Sequence, residues 1–199
     1  MKYPEIFDFS DMDTWKRKYL RKELLSNEWD LMVTKPVDDI FEVPFFTQEF
    51  CDKFVENTKD SNWVGINRWG TDIDTVHLKE VGFDEVMISL VKEYIFSITY
   101  HFWRTEGKRW REANSDNLLF KIKKNQDIRL HHDFVNITAC IRMDSDSVGG
   151  ELVFPKYSGI INPLQGHLYI YPGQISHQYG IRNIQEGDRY MIVSYLNVS

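Results

Sequence analysis

The chain has no apolar run approaching the ~20 residues that a bilayer-spanning helix needs, so no membrane embedding is expected. Cysteine is scarce. Cys51 and Cys140 are the two present, far apart and in apolar surroundings, which reads as two reduced, buried thiols in a cytoplasm-like compartment. Positive charge is not in excess: 24 Lys and Arg face 30 Asp and Glu, a formal charge of −6. Nothing in that balance recruits a phosphate backbone, so nucleic acid is not an expected partner. Met1 to Asp13 is polar and acidic, with no apolar secretory leader. Asn136-Ile137-Thr138 and Asn197-Val198-Ser199 match the glycosylation pattern, which carries weight only in a secreted chain. The expectation is therefore a cytoplasmic protein. There are no internal repeats and no low-complexity segments.

What is present is aromatic and apolar surface, 15% and 42% of the 199 residues. That suits one folded domain over 1–199, with 1–36 as a helical N-terminal extension. Asp11 or Asp13 can cap a helix running to about Ser26, with Trp15, Tyr19 and Leu24 near helical spacing. A short strand is expected over Ile40–Phe46. Thr47 then caps a helix whose inner face carries Phe50, Cys51 and Phe54. Trp63 to Asp74 reads as a loop, Thr75 to Lys79 alternates, and Phe83 to Trp103 carries the longest helical stripe. From Asn117 the texture turns to strands: Leu118–Ile122, Ile128–Asp133, Asn136–Met143, Glu151–Phe154, His167–Tyr171 and Arg189–Leu196. Helices followed by antiparallel-looking strands predict an α+β fold, the helices buttressing a sheet sandwich or barrel.

His131 and Asp133 stand two apart on one of these expected strands. Both side chains then share a face, and His132 points away. A simple hydrogen-bonded pair is the plainer interpretation of a bare His-x-Asp. The same pair also supplies one nitrogen and one oxygen donor to a single metal, and a second histidine would complete a two-histidine, one-carboxylate set with open positions on Fe(II). His177, in Pro172-Gly173-Gln174-Ile175-Ser176-His177, is the natural third ligand. Arg189, in Gly187-Asp188-Arg189-Tyr190, opens a buried strand. It needs an anion if its head turns inward, and the distal carboxylate of 2-oxoglutarate is such an anion. Alone, His177 could be a loop histidine and Arg189 a surface partner of Asp188 or Glu186. The ordered set of motifs is much harder to obtain by accident.

From about Val37 onward, roughly four-fifths of the chain, the sequence resembles the C-terminal hydroxylase domain of the procollagen lysyl hydroxylases. The matching stretches begin with Ile40 to Thr47 plus Cys51, and with Asp72 to Gly82, the two more specific to lysyl hydroxylases. Arg129 to Asp133, Gly149 to Phe154, Tyr171 to Gly173 and Gly187 to Ser194 follow, and are shared by the wider prolyl and lysyl hydroxylase group. The resemblance implies a double-stranded β-helix (jelly-roll) core, Fe(II), the cosubstrates 2-oxoglutarate and O₂, and ascorbate supporting turnover. It assigns His131 and Asp133 to iron and Arg189 to the cosubstrate carboxylate. The implied activity is hydroxylation of a peptidyl side chain, lysine first, with 2-oxoglutarate converted to succinate. Prolyl or other substrates of the same chemistry, and a catalytically weak jelly-roll binding module, are the alternatives.

The chain departs from the family at one ligand. The family's distal histidine is the second of a His-x-His sequence, and the corresponding residue here is Tyr179. His177 matches the first histidine and lies twelve positions before Arg189. A local bulge could still aim it at the metal, and Tyr179 could be a weak ligand. No glycosyltransferase domains accompany the hydroxylase-like region, so a stand-alone viral, phage or microbial relative fits; the sequence leaves an oligomer open. His77, His101 and His167 are expected to pack or face solvent. Trp103, Lys108, Arg109, Trp110 and Arg111 form a basic-aromatic cluster, read as a solvated turn or a substrate-facing lip.

Overall fold

The polypeptide lays helices first and strands after. In a computed structural model, which describes residues 1–68, 70–104 and 114–197, Asp11 caps α1 (Met12–Tyr19) by accepting from the Thr14 amide at 3.0 Å. The single helix expected to Ser26 is broken at Leu20 and Arg21, because the Arg21 amide donates to Phe45 O instead; α2 (Lys22–Ser26) and α3 (Trp29–Met32) follow. Strands β1 (Thr34–Val37) and β2 (Ile40–Pro44) form a hairpin. Thr47 caps α4 (Gln48–Thr58) through the Phe50 amide. Trp63 to Asp74, expected as a loop, is largely a second hairpin of β3 (Val64–Arg68) and β4 (Thr71–His77). Val64 is 58% exposed, so this edge is held by backbone pairing and lacks the apolar alternation that marks a buried strand. The long helical stripe is α5 (Asp84–Leu90) and α6 (Phe96–Trp103), joined by a π turn over Val91–Ile95.

The remaining strands are β5 (Asn114–Ile122), β6 (Ile128–His131), β7 (Ile137–Arg142), β8 (Val148–Gly149), β9 (Leu152–Phe154), β10 (Gly159–Ile161), β11 (His167–Pro172), β12 (Tyr179–Ile181), β13 (Ile184–Glu186) and β14 (Arg189–Asn197). Among the described residues they assemble with the earlier strands into an eight-stranded sheet ordered β1-β2-β11-β7-β14-β5-β4-β3. A four-stranded sheet ordered β10-β9-β12-β6 and the pair β13-β8 complete the set. Every strand pairing is antiparallel. The result is a mixed α/β molecule built on a large antiparallel sheet.

Strand alternation divides the core in two. Leu119, Ala139, Ile141, Leu168, Ile170 and Ile192 turn to the helices, where Trp15, Phe46, Phe50 and Phe83 meet ring to ring at centroid distances of 4.5–6.2 Å. Leu118, Phe120, Cys140, Tyr171, Met191 and Val193 turn the other way, onto Leu152, Phe154, Tyr179 and Ile181 of the small sheet. Both cysteines are free and buried, and burial pushes the Cys140 thiol up to about 12, so it is inert at neutral pH. No helix among the described residues is long and apolar enough to cross a membrane.

Candidate functional site

His131 ends β6, and Asp133 lies just beyond it, in the turn that leads to β7. Their side chains are 4% and 0% exposed. The Asp133 amide donates to Gly173 O at 2.9 Å, and its Oδ2 accepts from Thr138 Oγ1 at 2.6 Å. Gly173 permits this closeness: a Cβ there would stand 2.6 Å from Val135 Cγ2 and 2.8 Å from Val135 O, so any side chain would drive the turn away.

The donor chemistry of the pair can be read from its hydrogen bonds. His131 Nδ1 lies 2.8 Å from Arg129 O. A carbonyl can only accept, so Nδ1 carries a proton. Nε2 stands 3.1 Å from Asp133 Oδ1, where it either donates to the carboxylate as an imidazolium or, deprotonated, turns a lone pair to a cation that both atoms would share. Two donors bound at right angles to one small cation, each at about 2.1 Å, lie roughly 3 Å apart. The His131–Asp133 separation suits that arrangement, with Arg129 O and Thr138 as the outer groups that orient the donors. A cavity of about 500 Å³ opens over Asp133, its wall including His132, Phe134, Asp116 and Tyr195. Phe134 is 86% exposed and holds a positive φ of 52°. The residues present therefore fit two buried donors of a metal site, next to a cavity that Asp133 lines.

A third ligand does not join them. Among the described residues no group of three His, Cys, Asp or Glu side chains is placed to hold a metal. His177 lies before β12, in an unpaired turn. Its Nδ1 meets Ser176 Oγ at 2.9 Å, its Nε2 faces Asp38 O at 3.3 Å, and its ring stacks on Tyr157 at 4.6 Å. Burial lowers its pKa from the ordinary value. The residue paired in register with His131 is Tyr179, whose ring packs 4.5 Å from the imidazole.

Arg189, at the start of β14, is fully buried and faces the space between the sheets. Its Nε donates to Ser147 Oγ at 2.8 Å, Nη1 to Gly150 O at 3.3 Å and Nη2 to Gly149 O at 2.7 Å. Asp144 Oδ1 is 3.4 Å away. Gly150 makes the room, since a Cβ there would sit 3.2 Å from the guanidinium carbon, and its φ of +72° favours glycine in any case. Asp144 is shared with Arg142, whose Nη2 is 3.1 Å from Oδ2, so two guanidiniums face one carboxylate in this cluster. Burial lowers the Arg189 pKa to about 10, leaving it charged at neutral pH. Sequence reasoning missed the cluster around Asp144; the signal was a charged residue, Arg142, ending an otherwise apolar strand.

The other singled-out residues stand elsewhere. His77 pairs with Asp116 at 3.4 Å, His101 with Asp30 at 2.9 Å and His167 with Glu42 at 2.9 Å. Trp103 packs on Phe41 at 4.7 Å. Lys108, Arg109, Trp110 and Arg111 lie outside the described residues.

No family model matches the chain. It is 24% identical over 203 residues to procollagen-lysine,2-oxoglutarate 5-dioxygenase 2 of Mus musculus, across 95% of this chain and 28% of that protein. The chain thus spans little more than a quarter of the length of the curated relatives it matches. Its fold matches an oxidoreductase of the 2OG-Fe(II) oxygenase family from Burkholderia pseudomallei, with a TM-score of 0.62 at 14% identity, covering 80% of this chain and 85% of that one. It also matches a prolyl hydroxylase from Trichoplax adhaerens in complex with a hypoxia inducible factor peptide fragment, with a TM-score of 0.64 at 11% identity over 88% of each chain. The chain is similar to procollagen lysyl hydroxylases over nearly its whole length and shares its fold with 2-oxoglutarate-Fe(II) oxygenases.

Proposed function

We propose that this chain is an Fe(II)- and 2-oxoglutarate-dependent dioxygenase that hydroxylates a peptidyl side chain, lysine first, within one jelly-roll domain. The observation that carries the reading is the buried His131–Asp133 pair, a nitrogen and an oxygen 3.1 Å apart, next to a cavity that Asp133 lines. The jelly-roll reading rests on β5, β7, β11 and β14 lying in the large sheet while β6, β9, β10 and β12 form the small one. Iron with 2-oxoglutarate and O₂ would supply the oxidising power, 2-oxoglutarate leaving as succinate and CO₂, with ascorbate supporting turnover.

This chain's residues do the positioning. His131 and Asp133 would hold the metal, the imidazole oriented by its Nδ1 bond to Arg129 O. Arg189 attracts the cosubstrate's far carboxylate. Arg142 and Arg189 share the Asp144 carboxylate, with Glu151 also acting on Arg189, and an arriving carboxylate would join these partners. The polypeptide substrate enters over Phe134 and His132, where Asp116 gives the cavity mouth the charge that complements a lysyl ammonium. His177, expected from the sequence as third ligand, would have to leave Tyr157 and Asp38 to take that role.

The test is succinate formation with Fe(II), 2-oxoglutarate and a panel of lysyl and prolyl peptides, read alongside the peptide's gain of one oxygen atom. Iron-dependent succinate with oxygen in a lysyl peptide is expected, and His131→Ala should abolish it. Turnover on prolyl peptides alone would overturn the lysine assignment. No turnover on any peptide would favour the second reading, a catalytically weak binding module, which Tyr179 at the His131 register position supports.

A further inference from the structure

We infer that Tyr179 fills the third protein position of the metal site without serving as a ligand, so that among the described residues only His131 and Asp133 hold the metal. The inference rests on the metal-site reading proposed above. Three observations carry it.

The first is register. Antiparallel pairing of β12 with β6 sets Tyr179 directly opposite His131, so a side chain at 179 is the one that projects beside the imidazole. The second is packing. The Tyr179 ring lies 4.5 Å from His131, stacks on Phe154 at 5.7 Å and meets Tyr171 edge-on at 5.0 Å. A phenol fixed on three sides fills space that a shorter imidazole would leave for a cation. The third is His177, the remaining nearby histidine. Continuing the β6–β12 register would carry it opposite Asp133, but pairing ends at Tyr179. The ring is instead stacked on Tyr157 at 4.6 Å, with Phe154 packed between the Tyr157 and Tyr179 neighbourhoods, at 6.4 Å from one histidine face and 5.7 Å from Tyr179.

A metal held by two side chains keeps more positions for water and for a chelating 2-oxo acid than one held by three. Binding of metal and of 2-oxoglutarate should then be strongly reciprocal, each tightening the other by the same factor. Tyr179→His would return a nitrogen donor to the position opposite His131.

The test measures Mn(II), a redox-silent probe of the site, by electron paramagnetic resonance titration of the full chain, with and without 2-oxoglutarate. Tyr179→His should tighten Mn(II) at least about tenfold, while Tyr179→Phe and His177→Ala leave the wild-type affinity within about twofold. Wild-type binding should tighten markedly when 2-oxoglutarate is added. A tenfold loss in His177→Ala would make His177 the third ligand and overturn the inference, as would a tenfold loss in Tyr179→Phe, which would make the phenol oxygen a ligand. No gain in Tyr179→His, with the variant's thermal unfolding intact, would also overturn it. Should that variant fail to fold, the Phe and His177→Ala arms decide. If His131→Ala changes nothing in any background, the metal-site reading itself falls, an outcome distinct from the others.

Discussion

Two buried polar groups face the space between the sheets, and they are built to opposite ends. Around Asp144 every partner is internal. Its carboxylate accepts from Arg142, the Ser147 amide and hydroxyl, and the Tyr190 amide at 2.8 Å, with Arg189 alongside; Arg142 also reaches Pro163 O and Ser147 O. Around Asp133 the side-chain partners are fewer, His131 on one oxygen and Thr138 on the other, and a cavity lies alongside. Buried charge that is fully hydrogen-bonded fastens a fold. Buried charge left short of a cation is where a ligand belongs.

Breaking the closed cluster should cost most. Asp144→Ala strands two guanidiniums and the Tyr190 amide, and should destabilise by about 3–5 kcal/mol in urea unfolding; a loss under about 1 kcal/mol would show that the cluster is no fastening. Thr138→Val is expected to cost less in stability, about 1 kcal/mol, yet it removes the donor that orients Asp133 and should weaken Mn(II) binding by roughly 10–100-fold. Unchanged metal affinity would place Asp133 outside the site.

A third polar group, half-buried, sharpens the contrast. Glu42 accepts from His167 Nδ1 and from the Tyr169 hydroxyl, each at 2.9 Å. The His167 hydrogen bond, with help from Tyr169, holds its pKa below the ordinary 4.5. A carboxylate depressed in the folded state stabilises above its unfolded pKa, and that stability is lost as pH falls through the folded value. Glu42→Gln should therefore flatten the loss of melting temperature below about pH 4.5. The effect is small, because the pair is partly in water; an acid limb identical to wild type would remove Glu42 from this account.

What was legible in the sequence was local. His131 and Asp133 are two residues apart, and Asp11 and Thr47 cap helices within one turn. The buried strands of the large sheet announce themselves by continuous apolar runs, as in Leu118, Leu119 and Phe120, because both of their faces are covered. The β3–β4 hairpin was not legible, because β3 lies at the sheet edge and the two strands carry Gly65, Asn67 and Asp72 where a buried strand would carry apolar residues. Strands β10 and β12 span three residues each, too few for a period to show. The setting of His177 depended on where the pairing of β6 with β12 stops, a fact held in contacts between distant parts of the chain.

The shared carboxylate of Asp144 has a consequence for how such a protein can change. Arg189 is joined through it to Arg142 of β7, and directly to Ser147 Oγ and to the Gly149 and Gly150 carbonyls, so any alteration of Arg189 is also an alteration of the fold. Phe134 and His132, on the exposed rim, carry no such duty. Variation is cheap at the exposed rim and dear at the buried cluster, so under the proposed function such a protein could take up new polypeptide targets while its cosubstrate stays the same.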